Sequence, residues 1–236
     1  LKIGMAVEGP TDAVVIEAGL SAFRNSSFTV VTLQPQVPPG KTGSGWSGVF
    51  GWCRQVVSQG HVSLMKNPML TYLDLVIIQV DADVAATTYK AGNIYDPPYN
   101  DLPCEYPCPP ASDTVHALHE AVLGWLQPAK PGKNAVICIP SKYIETWAAA
   151  ALYGDHDPEL LKDLECSYKV LNYLQNKPPK ERLIRMKSEP GKQKRQRKVK
   201  SKFQKAQQII TKRWNVVKDS CPQAARFQED IEAALE

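Results

Sequence analysis

The run Tyr72 to Val80 (YLDLVIIQV) leads directly into Asp81-Ala82-Asp83, and this junction constrains the fold more than any other feature. Its core, Leu75 to Ile78, is apolar at every position. A strand that does not alternate suits a sheet covered on both faces, as parallel sheets are. Lys2 to Val7, Phe28 to Leu33 and Ala135 to Ile139 read as three further strands, the second rich in β-branched residues. Helical spacing follows Pro10, with Thr11 or Asp12 near the start, and recurs around 48–59, from Asp113 or Thr114 to Leu126, after Pro140-Ser141, and over about 157–175. The order β-α-β-α-β-insertion-α-β-α predicts an α/β fold: a mostly parallel four-stranded sheet with flanking helices and right-handed crossovers.

Residues 84–112 interrupt this alternation with six prolines, several tyrosines and Cys104 and Cys108. A segment of this length and composition reads as an irregular insertion, a lid or docking surface rather than a linker. The α/β domain is expected over 1–175. Residues 176–236 form a basic extension, Pro/Gly-containing and partly flexible to about 200, then helical with an interruption near Pro222.

Charge divides the chain in the same place. The formal net charge is +4, yet 177–213 alone holds 15 Lys/Arg and 2 Asp/Glu. An acidic body carrying a basic segment points to a polyanionic partner. With 43% hydrophobic and 22% charged residues the chain is too apolar for a disordered protein. No apolar run approaches the roughly 20 residues of a membrane helix, and Leu1 to Val7 is too short for a signal peptide. Six thinly spread cysteines are expected to be mostly free thiols, which places the protein in the cytoplasm with no membrane partner.

In an open parallel sheet, ligands bind beyond the carboxyl ends of the strands. Glu8 follows the first strand, Asp81 and Asp83 the third, and Glu145 lies shortly after the fourth. Four acids distant in sequence are therefore expected on one edge. Asp81 and Asp83, two apart, repel each other unless a cation lies between them, and their hard oxygens suit Mg²⁺ or Mn²⁺. Glu8 is placed to ligate or to act as general acid or base. The competing reading of a lone Asp-x-Asp is a polar turn after a buried strand.

Val7-Glu8-Gly9-Pro10-Thr11-Asp12 resembles the first motif of the Toprim family, and Val76 to Asp83 (VIIQVDAD) resembles the second. The likeness is nearest to the overcoming-lysogenization-defect nucleases, where Glu-Gly is followed by Thr-Asp or Thr-Glu. It implies a Rossmann-like Toprim fold and a Mg²⁺-dependent nuclease, with Glu8 as acid/base, Asp81 and Asp83 as metal ligands, and Asp12 as a further ligand. Glu145 would complete the shell. Ile139-Pro140, Glu145-Thr146-Trp147 and Cys221-Pro222 are similar to small stand-alone Toprim-like bacterial proteins associated with anti-phage defence. The resemblance covers about 1–150 well and the C-terminal region loosely. Those nucleases usually carry an ATPase domain. Nothing in this sequence corresponds to it, so a separate ATPase or other defence-system protein is the implied partner. The glycine usual after the second motif is replaced by Val84-Ala85-Ala86.

Lys192, Lys194, Arg195, Arg197, Lys198 and Lys200 are expected to contact the phosphates of DNA or RNA, with Lys41 in the Gly/Ser loop as a further candidate. Gly40-Lys41-Thr42-Gly43-Ser44-Gly45 lacks the P-loop spacing, since Pro35 stands where a glycine is required. Cys104 and Cys108, with Cys53 or His61, are weighed as a zinc site against incidental thiols or a disulfide. His116 and His119 read as surface or packing residues. The alternative to a nuclease is a non-catalytic Toprim-like module that binds nucleic acid or a defence-complex partner. An oligomer is compatible with either.

Overall fold

A computed structural model describes residues 1–24, 26–36, 43–58, 60, 62–97, 99–187 and 194–236. Lys41, Lys192 and His61 lie outside the described residues. Strands β1 (Lys2–Ala6), β2 (Thr29–Gln34), β3 (Leu75–Gln79) and β4 (Ala135–Cys138) form one sheet in the order β2-β1-β3-β4. Every neighbouring pair is parallel, with one register slip at Met5/Ala6. The helices are α1 (Pro10–Phe23), α2 (Trp46–Val57), α3 (Ser112–Leu126), α4 (Glu145–Tyr153), α5 (Pro158–Leu161), α6 (Val170–Gln175), α7 (Lys200–Lys212), α8 (Trp214–Ser220) and α9 (Pro222–Leu235). The chain is an α/β protein of Rossmann-like form, as its strand-end pattern predicts.

Side chains alternate across a strand, and here each face meets its own core. Ile3 and Met5 of β1 and Leu75 and Ile77 of β3 pack with α1, α4 and the C-terminal helices. Ala6, Val76 and Ile78 pack on the other side with α2, α3 and the start of the insertion. All five residues of β3 are buried, so its apolar run is the centre of the molecule.

Residues 176–236 contribute to the first of these cores. Phe203, Ile210, Trp214, Phe227 and Ile231 are buried beside β1 and α1 residues. Gly19 makes the closest approach: a Cβ built there would meet Trp214 Cη2 at 2.7 Å. The glycine that weakens α1 in isolation is the seat of the indole. The segment read as basic and partly flexible also holds an antiparallel hairpin, β5 (Ile184–Lys187) with β6 (Arg195–Lys198). Its charged strands hide β character from a hydrophobicity reading.

The insertion is fastened at several points. Trp125 Nε1 donates to Tyr89 Oη at 2.8 Å and Tyr89 Oη donates to Asp101 at 2.6 Å. Cys108 forms a disulfide with Cys166. Cys104 and Cys108 are therefore not a zinc pair, while Cys53, Cys104, Cys138 and Cys221 are free thiols. Among the described residues no helix is long and apolar enough to cross a membrane.

Candidate functional site

The chain runs from β1 outward to β2, then returns to β3 on the other side of β1. The sheet's winding reverses there, so a crevice opens between the carboxyl ends of β1 and β3. Glu8 and Asp81 stand at those two ends. Glu8 Oε1 accepts from the Asp81 backbone N at 2.8 Å, and Gln79 Oε1 accepts from the Glu8 backbone N at 3.3 Å. Gln79 Nε2 also donates to Asp81 Oδ1 at 2.8 Å. Gln79 thus ties the two strand ends together, a role the apolar reading of β3 gave no hint of.

The remaining acids come from three other elements. Asp12 enters from the first turn of α1, which starts at Pro10 with Gly9 as its cap residue. Thr11 is inside the helix rather than capping it, and its hydroxyl donates to Asp12 Oδ1 at 3.2 Å. Asp83 lies in the 3₁₀ turn Ala82–Ala86 that follows β3. Its backbone N donates to Lys142 O at 3.1 Å, which pins this turn to the loop after β4. Glu145 opens α4, and the Ile144 N just before it donates to Asp81 Oδ1 at 3.0 Å. Glu8, Asp12, Asp81, Asp83 and Glu145 are therefore brought to one edge.

One cation stands among them. Lys198 Nζ lies 2.7 Å from Asp12 Oδ1 and 2.7 Å from Glu145 Oε1. Both carboxylates are buried, Asp12 to 1% exposure and Glu145 to 0%. Lys198, expected to touch phosphate, instead points inward from β6. The reason is strand alternation: Arg197, its neighbour, is exposed. Asp12 Oδ2 and Glu145 Oε2 remain buried with no hydrogen-bond partner among the described residues.

Five carboxylates face one ammonium, and burial works against charge. Burial, then Asp12 and Asp83, push Glu8 up to about 8. Burial and the neighbouring Glu145 raise Asp83 to about 7, against the pull of Lys198. Asp81 and Glu145 are raised for the same reason, burial first. Burial alone would lower Lys198, but Asp12, Glu145 and Asp81 outweigh it and hold its ammonium protonated. Among the described residues no three Asp, Glu, His or Cys side chains stand in ready metal-ligating geometry, and Lys198 is the cation that the acids share.

A second basic side chain near this edge, Lys142, has no signal in the sequence. Lys142, at φ 57° just after β4, has its Nζ buried 2.6 Å from Glu105 Oε1 and 2.9 Å from Tyr168 Oη. Its charge also acts on Asp83. Lys194, Arg195 and Arg197 lie exposed on the hairpin, and Lys200 is exposed at the start of α7. The described end of the Gly/Ser loop reaches the site, since Gly45 N donates to Glu8 O at 3.0 Å. His119 pairs with Glu120, and neither it nor His116 joins the acids. The chain matches no family model, no curated protein and no solved structure.

Proposed function

We propose that the chain is a divalent-metal-dependent nuclease of Toprim type, hydrolysing phosphodiester bonds in nucleic acid. The observation that carries this reading is the excess of acid over cation at the β1–β3 crevice: among the described residues five acids, Asp12, Asp81 and Glu145 of them buried, gather about the ammonium of Lys198, with Lys142 acting more weakly on Asp83. Asp12 Oδ2 and Glu145 Oε2, buried and without partners, are hard donors that fit Mg²⁺ or Mn²⁺. Glu8, Asp81 and Asp83 would hold the ion, with Asp12 and Glu145 completing the shell. Bound there, such an ion polarises a phosphodiester and lowers the pKa of water.

The chain's own groups divide the remaining work. Gln79 and the Ile144 amide fix the Asp81 carboxylate, so its orientation is set before any ligand arrives. Glu8, where it is not taken up as a ligand, would hold or release the proton of the attacking water or the leaving oxygen. An ion on the free Asp12 and Glu145 oxygens would share both carboxylates with Lys198 and weaken its hold on them, which would leave its ammonium available to a phosphate. The motif resemblance supports a role in anti-phage defence, beside a separate ATPase or other defence protein.

The second reading is a non-catalytic Toprim-like module that binds nucleic acid or a defence-complex partner. The ion pairs of Lys198 favour it, because they neutralise part of the cluster without any metal. Incubation with DNA and RNA plus Mg²⁺ or Mn²⁺ separates the two, comparing wild type with Glu8→Ala and Asp81→Ala. The nuclease reading expects metal-dependent cleavage that both variants lose by about 100-fold or more. Equal activity in all three proteins would sink the assignment. Binding without cleavage under every metal condition selects the second reading.

A further inference from the structure

Part of the basic segment's charge gathers away from residues 192–200. A groove of about 550 Å³ lies between the end of α4 and the outer face of α7. Lys177, Lys180, Lys202 and Lys205 line it, with Tyr153 on α4 and Glu181 as its one acid. None of the four lysines is paired with a carboxylate among the described residues. Lys177 instead sits over the rings of Tyr153 and Tyr173, 4.3 and 3.9 Å from their centroids, with Tyr173 Oη at 2.5 Å. Lys202 Nζ donates to the backbone oxygen of Lys180 at 2.6 Å. Two ammonium groups are therefore held in place by partners that carry no charge of their own. The buried Lys142 and the half-buried Lys198 differ, since both are matched to acids.

We infer that this groove binds the sugar-phosphate backbone of a single nucleic-acid strand. Several separated cations fit a ligand with repeating negative charge better than a lone anion. Lys202 and Lys205 stand one turn apart on α7, about 5–6 Å between side chains, on the scale of successive phosphates. The groove is also within reach of the acidic edge. Glu145 opens α4 and Tyr153 closes it, about 12 Å along the axis. A single strand covers that distance within a few nucleotides. The inference rests on the nuclease reading only for what happens at the far end of the strand.

The test measures binding of a short fluorescein-labelled single-stranded DNA in EDTA by fluorescence anisotropy across a salt series. Wild type is compared with Lys180→Glu/Lys205→Glu, both exposed positions, and with Lys130→Glu/Lys133→Glu, which changes the net charge equally outside the groove. Circular dichroism checks that each protein is folded. Loss of two phosphate contacts should flatten the slope of log K against log salt by about 1.4 and weaken binding roughly 20-fold near 0.1 M salt. The control pair should change both far less. Equal losses in the two double variants, no loss in either, or no strand binding by wild type would overturn the inference. So would a groove-dependent affinity for anionic vesicles in place of the strand. Groove-dependent binding without metal-dependent cleavage leaves this inference standing and removes the nuclease reading. Cleavage that the groove variant retains in full, with binding unchanged, does the reverse.

Discussion

Lys198 and Asp12 lie 186 residues apart in sequence, yet the lysine Nζ stands 2.7 Å from Asp12 Oδ1. The β5–β6 hairpin thus delivers the countercharge that makes the acidic edge tolerable in the folded chain. Removing one partner of a buried ion pair leaves the other uncompensated, which typically costs about 3–5 kcal/mol. Lys198→Met is expected to lose stability on that scale in metal-free buffer, read by denaturant unfolding. Added Mg²⁺ should restore part of it. A change within about 0.5 kcal/mol, the range of an ordinary surface substitution, would show that the pairing does not matter.

The raised carboxyls predict a particular pH dependence. Glu8 is held near 8 and Asp83 near 7, against ordinary values of 4.5 and 3.8. The folded chain therefore keeps protons that the unfolded chain has already released. Their stabilising contribution is complete below the unfolded values and is lost as pH rises through about 7 to 8. In EDTA the melting temperature should fall between about pH 5 and pH 8, and Glu8→Gln should flatten the fall. Glu165, also pushed to about 7 by its own burial, contributes in the same window from outside the site. Glu165→Gln is thus the control that should leave the Glu8-dependent part intact. A melting temperature that rises over this range contradicts the electrostatic account.

The Cys108–Cys166 bond closes 58 residues of chain. Loop-closure entropy assigns such a link about 4 kcal/mol. Mass spectrometry of the unreduced protein should find that peptide pair joined. Reduction, or Cys166→Ser, should lower the melting temperature and expose 84–111 to limited proteolysis. Unchanged proteolysis after reduction would mean that the hydrogen bonds of Tyr89 and Trp125 fasten the insertion by themselves.

Gly19 tests whether the C-terminal helices belong to the fold. A methyl there would approach Trp214 to 2.7 Å, and crowding of this kind costs about 1–3 kcal/mol. Gly19→Ala should therefore destabilise the protein, although alanine is the better helix former by about 1 kcal/mol. A gain in stability would show that α8 does not pack on α1 in solution.

The sequence reveals the sheet because two of its strands, β1 and β3, run straight into acids. A continuously apolar strand followed by Asp-Ala-Asp can hardly lie anywhere but the middle of a parallel sheet, and convergence of Glu8, Asp81 and Glu145 follows from strand direction. Lys198 shows where that reasoning stops. A basic run carries its sign in the sequence, but which way each side chain points depends on β6 pairing with β5. The alternation that turns Lys198 inward and Arg197 outward is visible only once the hairpin is known. Gln79 was hidden for a different reason. It sits at the end of an apolar strand, where one polar residue reads as the strand's edge rather than as a brace between Glu8 and Asp81. Lys142 depends on a left-handed backbone position and on Glu105 of the insertion, two features with no local sequence signature.

The account depends most on the acidic crevice taking up a divalent ion. Crystals soaked in Mn²⁺ and measured for anomalous scattering answer this directly. The predicted result is one strong peak among Glu8, Asp81 and Asp83, with Lys198 displaced from Asp12 and Glu145 if their oxygens also ligate. An empty crevice at saturating Mn²⁺, with Lys198 still 2.7 Å from both carboxylates, would contradict it and leave the lysine as the cluster's permanent cation.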